Sequence, residues 1–480
     1  MQAARRKIVV KGHWALALLI APLSLTLPVQ AAICPAQLAE QIASVTAQPE
    51  FERTRWGILV ETIDTDATLY AQAADQFFIP ASNAKLLTTA AALTQLGADY
   101  RIRTSVYQAG NTLQVVGRGD PSFGDLQLQQ LAQQIRDRGV TQIDRLSIND
   151  RAFANDAVNP TWEWGDLSFG YAAPVTSMIL NGNAVTLRLF PQAIGQPLRV
   201  EWSDRIAALV LGGFDHQSRT VADSEPEFTQ IDRALDRPHL QIRGQLRVGA
   251  EPDETSIAIP KPTQYFLERF RQALTAPGLV IRQTGIATDV LSDAIEIAAI
   301  DSPPLSELLI PTNQDSENLY AESLLRQLGV AAEPDTDSPL QAGIAAIETT
   351  LARIGVDPAG FDLADGSGLS RHNLVSPAAI VQTLQAMADS PVYRNSLAVA
   401  GESGTLINRF QGTIAQGRLY GKTGALSGVA ALSGYLDPPN YPPVAFSILV
   451  NHFDRPVREV RPAIDAIVLQ LAQLQACPDR

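Results

Sequence analysis

Lysine is rare in this chain of 480 residues, and two of the few lysines stand in short motifs whose residue types can carry out chemistry. Only five lysines occur, and three of them follow residue 31. Lys85 closes a Ser-x-x-Lys motif that begins at Ser82, and Lys422 opens a Lys-Thr-Gly motif. A desolvated lysine can accept a proton at neutral pH, whereas arginine cannot. These two lysines are therefore the candidates for proton transfer.

Ser82 has the setting of an activated nucleophile. A serine hydroxyl attacks a carbonyl only when a neighbouring base takes its proton. Lys85 lies three residues later at the start of a predicted helix, Ala84 to Leu96, so both side chains share one helix face. The helix N-terminus adds a positive field and a free N–H group for an oxyanion. For Lys85 to act as the base, it must be desolvated or lie near another cation, for which Lys422 is a candidate.

A Ser-x-Asn motif at Ser316 and Asn318 lies between the two lysine motifs in the sequence. If this segment is a loop, both side chains can face the same cleft. We expect Ser316 to pass a proton to the leaving nitrogen and Asn318 to hold an amide of the substrate. A second Ser-x-Asn, at Ser147, falls in a predicted strand and is interpreted as a chance match.

The Lys-Thr-Gly motif falls at the start of a predicted edge strand, where an extended peptide can add backbone hydrogen bonds. We expect Thr423 and Lys422 to hold a terminal carboxylate. Gly424 leaves room for the peptide, and the N–H group of Ala425 completes an oxyanion hole.

Each motif alone is weak, since Ser-x-x-Lys is commonly a helix start and Lys-Thr-Gly a strand end. Their order and settings together are typical of serine enzymes that open amides and β-lactams. Other chemistries are poorly supported. The five histidines are scattered, no His-Glu-x-x-His occurs, and no metal or organic cofactor is expected. The run 401–405 lacks the last glycine of a Gly-x-Ser-x-Gly elbow.

The composition, 46% apolar and 18% charged, is typical of an ordered globular protein. Residues 1–31 form a predicted secretory signal peptide, with a basic start and an apolar stretch from Trp14 to Val29. An uncleaved membrane anchor is the alternative, although prolines interrupt a stretch shorter than the ~20 residues of a bilayer span. Removing four basic residues with the signal peptide lowers the net charge from −13 to −17. Such an acidic protein is not expected to bind nucleic acid or anionic lipid.

The two cysteines, Cys34 and Cys477, lie near the two ends of the exported chain. An oxidising compartment favours a disulfide between them, which requires Cα atoms within about 7 Å. Two free thiols remain an alternative. Lipid attachment at Cys34 is a further one, although Ala32 and Ile33 match that signal poorly.

The motifs divide the chain into an interrupted catalytic domain. Residues 32–98 and 299–480 contain the three motifs, with a predicted hairpin early in the first part. Helices are predicted from Glu317 onward, and adjacent antiparallel strands at Arg418 to Leu436 and Val444 to Asn451. Residues 99–298 contain neither a Ser-x-x-Lys nor a Lys-Thr-Gly motif and read as an inserted, β-rich region of one or two modules.

With further runs at 80–87, 119–121, 365–371 and 404–406, the chain resembles the D-alanyl-D-alanine carboxypeptidase/endopeptidase family. These are the low-molecular-mass class C penicillin-binding proteins. The resemblance implies an α/β fold, namely a penicillin-recognising serine transpeptidase-like domain with an antiparallel sheet flanked by helices and a long insertion. It implies an acyl-enzyme on Ser82, peptidoglycan stem peptides ending in D-Ala-D-Ala as substrates, β-lactams as covalent inhibitors and a periplasmic or extracytoplasmic location.

The resemblance also implies a site for the diaminopimelate side chain of the substrate, at Asp166, Tyr171 and Arg371. A loop salt bridge, a partly buried tyrosine and a structural arginine are the alternatives for these residues. The chain departs from many relatives in having Glu317 rather than aspartate, and tyrosine rather than phenylalanine at 171.

Two other functions stay open from the sequence. A serine β-lactamase shares the serine and lysines, but the roughly 230 residues between Ser82 and Ser316 exceed what a compact β-lactamase needs. A cell-wall binding protein without turnover has no need to keep both motif lysines.

Overall fold

A computed structural model describes residues 33–153, 157–234, 239–275 and 278–477. The predicted signal peptide lies outside these residues. The helices of the described residues are α1 (Leu38–Thr46), α2 (Ala84–Leu96), α3 (Asp125–Asp137), α4 (Arg205–Val210), α5 (Pro262–Thr275), α6 (Leu305–Asn313), α7 (Asn318–Ala332), α8 (Pro339–Arg353), α9 (Pro377–Ala386), α10 (Pro391–Asn395) and α11 (Val457–Ala472). None of them is both long enough and apolar enough to cross a membrane.

The strands of the same residues are β1 (Arg55–Thr62), β2 (Thr68–Gln72), β3 (Arg103–Ala109), β4 (Thr112–Val116), β5 (Gln142–Asn149), β6 (Ala184–Phe190), β7 (Arg199–Trp202), β8 (Phe214–Val221), β9 (Phe228–Arg233), β10 (Leu240–Arg247), β11 (Asp253–Ala258), β12 (Val280–Ala287), β13 (Ile295–Asp301), β14 (Phe361–Asp362), β15 (Leu374–Val375), β16 (Ala398–Val399), β17 (Leu419–Leu426), β18 (Val429–Leu436) and β19 (Val444–Asn451).

A six-stranded antiparallel sheet, ordered β16-β17-β18-β19-β1-β2, is covered by helices on both faces. Successive residues of a strand point to opposite faces. Ile58 and Val60 therefore pack with α1 and α11, whereas Leu59 packs with α2, α7 and α9 on the other face. The predicted α/β fold, an antiparallel sheet flanked by helices, is confirmed.

The region between α2 and α6 is rich in strands, as expected. It contains a five-stranded sheet, ordered β12-β5-β4-β3-β13, and two three-stranded sheets, β8-β10-β9 and β11-β6-β7. One hydrophobic core joins these sheets with α3 and α5. We propose residues 32–98 and 299–480 as the catalytic domain and 99–298 as the insertion. Strand β13 crosses the second boundary and pairs with β3.

The predicted hairpin is present as β1 and β2, and α2 ends at Gly97, whose φ of +84° suits glycine. One strand prediction was wrong. Arg418 to Leu436 forms two strands, β17 and β18, joined by a two-residue turn at Ser427 and Gly428. Gly428 adopts a φ of +71°, which allows this tight reversal.

The two ends of the described chain lie together. Cys34 and Cys477 form a disulfide with a Cα separation of 5.7 Å. Backbone hydrogen bonds between Ile33 and the residues after α11 hold the same junction. The alternatives of free or lipid-modified thiols are excluded by this bond.

Candidate active site

Ser82 sits in a tight helical turn, Ala81–Asn83, that leads directly into α2. Ala81 has a φ of +47°, an uncommon conformation for a residue with a side chain. Two glycines make this turn possible. A Cβ atom on Gly368 would lie 1.8 Å from the carbonyl oxygen of Ala81, and one on Gly424 would lie 2.8 Å from that of Pro80. The turn that carries Ser82, the candidate nucleophile, is therefore packed between two segments that have no side chain at the contact. We call it the nucleophile turn.

Lys85 joins the first two motifs. Its Nζ atom donates to Ser82 Oγ at 3.1 Å, to Asn318 Oδ1 at 2.7 Å and to the carbonyl oxygen of Ser367 at 2.6 Å. The lysine side chain is fully buried. It is thus held within hydrogen-bonding reach of the Ser82 hydroxyl, as a general base must be.

Burial also changes the acidity of this lysine. It lowers the pKa of Lys85 to about 8, although the carboxylates of Asp365, Glu322 and Glu317 act in the opposite direction. A neutral amine is therefore accessible near neutral pH. Desolvation, one of the two routes that the sequence left open, is the main cause of this lowering.

Lys422 and Ser316 form a second lysine–serine pair. Lys422 is fully buried, and its Nζ atom donates to Ser316 Oγ and to the carbonyl oxygen of Thr423, both at 2.9 Å. Burial, and then the positive charge of Lys85, hold the pKa of Lys422 well below its usual value. The expectation that Lys422 is a cation close to Lys85 stays a prediction.

The Ser-x-Asn segment was predicted to be a loop, but only part of it is one. Ser316 has a φ of +66°, and Asn318 is the first residue of α7. The Nδ2 atom of Asn318 donates to the carbonyl oxygen of Tyr171 at 2.8 Å, while its Oδ1 atom accepts from Lys85. Asn318 therefore ties the nucleophile helix to the insertion.

The Lys-Thr-Gly motif lies in the middle of β17 rather than at its start. The outer edge of β17 is paired with β16 only at Tyr420 and Gly421, so the strand is open beyond them. The carbonyl group of Leu419 points to this outer side, where it accepts from Ala400. Peptide groups alternate in direction along a strand. The N–H group of Ala425 therefore points outward as well, beside Ser82 in the cleft.

Thr423 lies on the same open stretch, and its hydroxyl is 2.8 Å from that of Thr405. The peptide groups of Thr423 and Ala425 face the same side of β17. An extended ligand placed along this edge would meet both.

The cleft in front of Ser82 has a volume of about 400 Å³. Its lining combines residues of the Ser-x-x-Lys and Ser-x-Asn motifs, the residues that follow Lys-Thr-Gly, the loop with Gly368 and the insertion: Ser82, Asp166, Tyr171, Ser316, Asn318, Gly368, Leu369, Ala425, Leu426 and Ser427. Asp166 is the only carboxylate among these residues. Within the described residues, no three His, Cys, Asp or Glu side chains converge to hold a metal ion.

Asp166 and Tyr171 lie together at the insertion side of this cleft. The Tyr171 hydroxyl donates to Asp166 Oδ1 at 2.8 Å, and the ring stacks on Phe169 at 5.5 Å between centroids. Burial and the bond to Asp166 raise the pKa of Tyr171, so the phenol stays protonated.

Arg371 extends along the same wall. It donates to the carbonyl oxygen of Ser427 at 2.8 Å and forms an ion pair with Glu163 at 3.0 Å. A loop salt bridge was the alternative role considered for Asp166. In the structure, Glu163 rather than Asp166 forms the salt bridge with Arg371.

Several residues that support the site were not given a role by the sequence analysis. The buried carboxylate of Asp365 accepts from the backbone N–H groups of Gly368 and Ser370 and from the indole of Trp162. Asp365 thereby fixes the loop that presses Gly368 against the nucleophile turn.

A buried ion pair holds the same loop from below. Glu322 and Arg326 are both fully buried, with Oε2 and Nη1 2.9 Å apart. The other Glu322 oxygen accepts from the N–H groups of Gly366 and Ser367. The Ser367 carbonyl is thereby aimed at Lys85. The Asp-Gly-Ser-Gly run was the sequence signal from which this supporting loop could have been predicted.

Residues 38–473 match the family described as D-Ala-D-Ala carboxypeptidase 3 (S13). The chain belongs to this family of serine peptidases. The family resemblance inferred from the sequence, and with it the enzyme class of serine-type D-Ala-D-Ala carboxypeptidase, is confirmed.

Curated relatives agree with this membership. A D-alanyl-D-alanine carboxypeptidase of Actinomadura sp. (strain R39) is 32% identical over 464 residues, covering 91% of this chain and 85% of that protein. A penicillin-sensitive carboxypeptidase A of Dictyostelium discoideum is 27% identical over 462 residues, covering 88% and 87%.

Among solved structures, penicillin binding protein 4 (dacB) of Haemophilus influenzae has the same fold. It superposes with a TM-score of 0.78 at 23% identity, covering 90% of this chain and 98% of that one. A second structure of that protein, in complex with a β-lactam, gives a TM-score of 0.76 at 22% identity, covering 91% and 100%.

Proposed function

We propose that this S13 enzyme removes the terminal D-alanine from peptidoglycan stem peptides ending in D-Ala-D-Ala, through an acyl-enzyme on Ser82. The observation that carries the proposal is the pair of hydrogen bonds that join Lys85 to Ser82 and Asn318 in one buried group. We further propose an extracytoplasmic location, since the substrate lies outside the cytoplasm and the first 31 residues read as a signal peptide.

In the acylation step, neutral Lys85 takes the proton of Ser82 as Oγ bonds to the carbonyl carbon between the two D-alanines. The N–H groups of Ser82 and Ala425 stabilise the oxyanion. The C–N bond then breaks. Ser316, held by Lys422, donates its hydroxyl proton to the leaving nitrogen. Ser316 takes back the proton that Lys85 removed from Ser82, so Lys85 is neutral again as free D-alanine departs.

In the deacylation step, water attacks the ester carbonyl and the proton of the water passes to Lys85. The C–O bond to Ser82 breaks as Lys85 returns this proton to the serine oxygen. The shortened peptide loses its carboxyl proton to solvent and leaves as a carboxylate. A β-lactam enters the same first step, but its opened ring stays attached to the ester, so the acyl-enzyme persists.

Substrate binding is assigned to the walls of the cleft. The peptide lies along the open edge of β17, with Thr423 and Lys422 at its terminal carboxylate and Gly424 leaving space. Asp166, Tyr171 and Arg371 contact the side chain of the third residue of the stem, which carries an amine and a carboxylate. The substrate amine pairs with the Asp166 carboxylate, and the substrate carboxylate pairs with the Arg371 guanidinium.

The test is D-alanine release from an N-acylated peptide ending in D-Ala-D-Ala. Wild-type enzyme should release D-alanine, and the rate should fall by at least about 10³-fold in Ser82→Ala, because the nucleophile is absent. The same peptide ending in D-Ala-L-Ala is the substrate control. Turnover by a folded Ser82→Ala variant at the wild-type rate would refute the mechanism.

The same assay separates the enzyme from a β-lactamase. A β-lactamase would release little D-alanine and would destroy penicillin rapidly. The one carboxylate that lines the cleft, Asp166, is engaged by Tyr171, which gives no support for a dedicated base for fast deacylation.

A further inference from the structure

The sheet β11-β6-β7 of the insertion carries a row of hydroxyl groups on its outer face. Ser256 of β11 is paired with Thr186 of β6. The backbone N–H group of Thr186 donates to Ser203 Oγ at 3.1 Å, and Ser203 follows β7 directly. The opposite face carries apolar side chains such as Leu187, which lie in the core. The hydroxyl row is thus the exposed floor of a second cleft.

This second cleft has a volume of about 350 Å³, and polar side chains form its walls: Asp125, Asn181, Asp204, Tyr265 and Arg269.

The wall residues are held rigidly by one another. The Tyr265 hydroxyl donates to Asp204 Oδ2 at 2.9 Å and receives a hydrogen bond from Asn181 at 3.4 Å. Arg269 donates to Asp125 at 2.6 Å and also forms an ion pair with Asp204. Donors and acceptors therefore stand in fixed positions around the cavity, which reduces the entropy lost on binding a polar ligand.

The floor offers hydrogen-bonding capacity that the protein does not use. Within the described parts of the chain, neither the Thr186 nor the Ser256 hydroxyl is hydrogen-bonded to a protein atom. Each hydroxyl can donate one hydrogen bond and accept two. The guanidinium of Arg269 is balanced by two carboxylates, so the cleft carries an excess negative charge. A neutral ligand rich in hydroxyl or amide groups suits it better than an anion.

The second cleft is next to the active site. Gly170 packs so closely on Ser256 that a Cβ atom would lie 2.1 Å from the serine Oγ. The neighbouring Phe169 is bridged to Ile257, and Tyr171, one residue further, lines the cleft in front of Ser82. A single turn of backbone, Gly170–Ala172, therefore separates the two clefts.

We propose that the second cleft binds a neutral N-acetylated amino sugar of the glycan strand to which the stem peptide is attached. This inference rests on the proposed function. A four-residue stem spans at most about 14 Å when extended, which suits a substrate that occupies two adjoining clefts. A further cavity of about 380 Å³ between α3 and α5 shares Asp125 and Arg269 with the second cleft, and provides room for the next sugar.

The test compares D-alanine release from a free pentapeptide and from the same pentapeptide on its N-acetylglucosaminyl–N-acetylmuramyl disaccharide. For the wild type we expect the KM of the disaccharide substrate to be lower by about tenfold, as two or three net hydrogen bonds would give. We call the KM of the free pentapeptide divided by that of the disaccharide substrate the KM ratio. In Thr186→Ile, which removes a floor hydroxyl and narrows the cleft, this ratio should fall to about two or less.

Arg188→Ala is the matched control, because Arg188 lies two residues along the same strand and face, outside the cleft, in an exposed pair with Glu254. It should keep the wild-type KM ratio. Equal KM values of the wild type for the two substrates would overturn the proposal, whatever the variant does. So would a Thr186→Ile variant that keeps the full ratio.

A binding measurement separates this inference from the proposed function. In a calorimetric titration, Ser82→Ala should bind the disaccharide whose lactyl carboxyl is capped as a neutral amide, and Ser82→Ala combined with Thr186→Ile should not. If neither substrate releases D-alanine, the peptidase proposal fails, and this titration alone decides the sugar cleft. Absence of disaccharide binding to Ser82→Ala would then reject it.

Discussion

At the scale of single residues, two lysines are buried where water cannot stabilise their charge. Lys85 keeps three hydrogen-bond acceptors around its amine, and Lys422 keeps two. Fully buried lysines are rare unless paired, and neither forms an ion pair within 4 Å in the described chain. The structure thus pairs each of two serines, Ser82 and Ser316, with a buried amine of lowered pKa.

Lys85→Arg should lower the acylation rate by about 10²–10⁴-fold at every pH, because a guanidinium cannot take the serine proton. The wild-type acylation rate should rise about tenfold per pH unit up to the pKa of about 8 and then level off, since only the neutral amine acts. Stopped-flow labelling with a fluorescent penicillin measures both.

Lys261→Arg is the control, since Lys261 is exposed and outside the motifs. It should keep the wild-type pH profile. A Lys85→Arg variant that is acylated at the wild-type rate would show that another group is the base.

At the scale of elements, the nucleophile turn depends on the loop between β14 and β15. Asp365 caps this loop, and Gly368 touches the backbone of Ala81. The loop, α7 and the turn before α2 thus form one packed unit. Elements distant in sequence therefore restrict the position of Ser82.

Gly368→Ala tests this unit. With a φ of +81° and a Cβ atom 1.8 Å from the Ala81 oxygen, the substitution must shift the nucleophile turn. A misplacement of about 1 Å costs on the order of 10²-fold in rate, so acylation should fall by that factor. Penicillin acylation rates and thermal unfolding measure the two effects.

Gly355→Ala provides the comparison, because Gly355 has a φ of +94° and no atom within 4 Å of its Cβ position. It should cost only the ~1–2 kcal/mol of the unfavourable conformation and leave acylation as in wild type. If both variants acylate normally, the loop does not position Ser82.

The sequence predicted these elements where periodicity and end signals were strong, and it failed where a turn lay inside an apolar run. Helix α2, with its terminal Gly97, followed from the pattern. The turn at Ser427 and Gly428 was missed, because small apolar residues continue on both sides, although Ser-Gly is itself a turn signal.

For the site, the order of the motifs along the chain was enough to predict which residues belong to it. The distances between those residues could not be predicted, since contacts between residues more than two hundred positions apart depend on packing. The roles of Glu322, Asp365 and Gly368 likewise depend on contacts that no local pattern encodes.

At the scale of the whole molecule, both ends of the described chain pack on the catalytic sheet, and the insertion reaches back to the active site. Asn318 meets the insertion at Tyr171, and Trp162 meets Asp365. The disulfide closes the outer layer of α1 and α11. The insertion therefore forms one wall of the cleft rather than a separate appendage.

Reduction of the Cys34–Cys477 disulfide should lower the free energy of unfolding by about 2–4 kcal/mol, because the bond restricts the unfolded chain. Urea unfolding with and without a reductant measures this. Cys34→Ser should match the reduced wild type and should not respond to the reductant. An unchanged transition on reduction of the wild type would show that the bond does not stabilise the fold.

The most direct test of the acyl-enzyme on Ser82 is covalent labelling of residues 32–480 by a fluorescent penicillin, resolved on a denaturing gel. Wild type and Ser147→Ala, which alters the other Ser-x-Asn motif, should each give a stable band, and Ser82→Ala should give none. A band of wild-type intensity in folded Ser82→Ala would contradict the account, as would rapid loss of the penicillin from solution without any band.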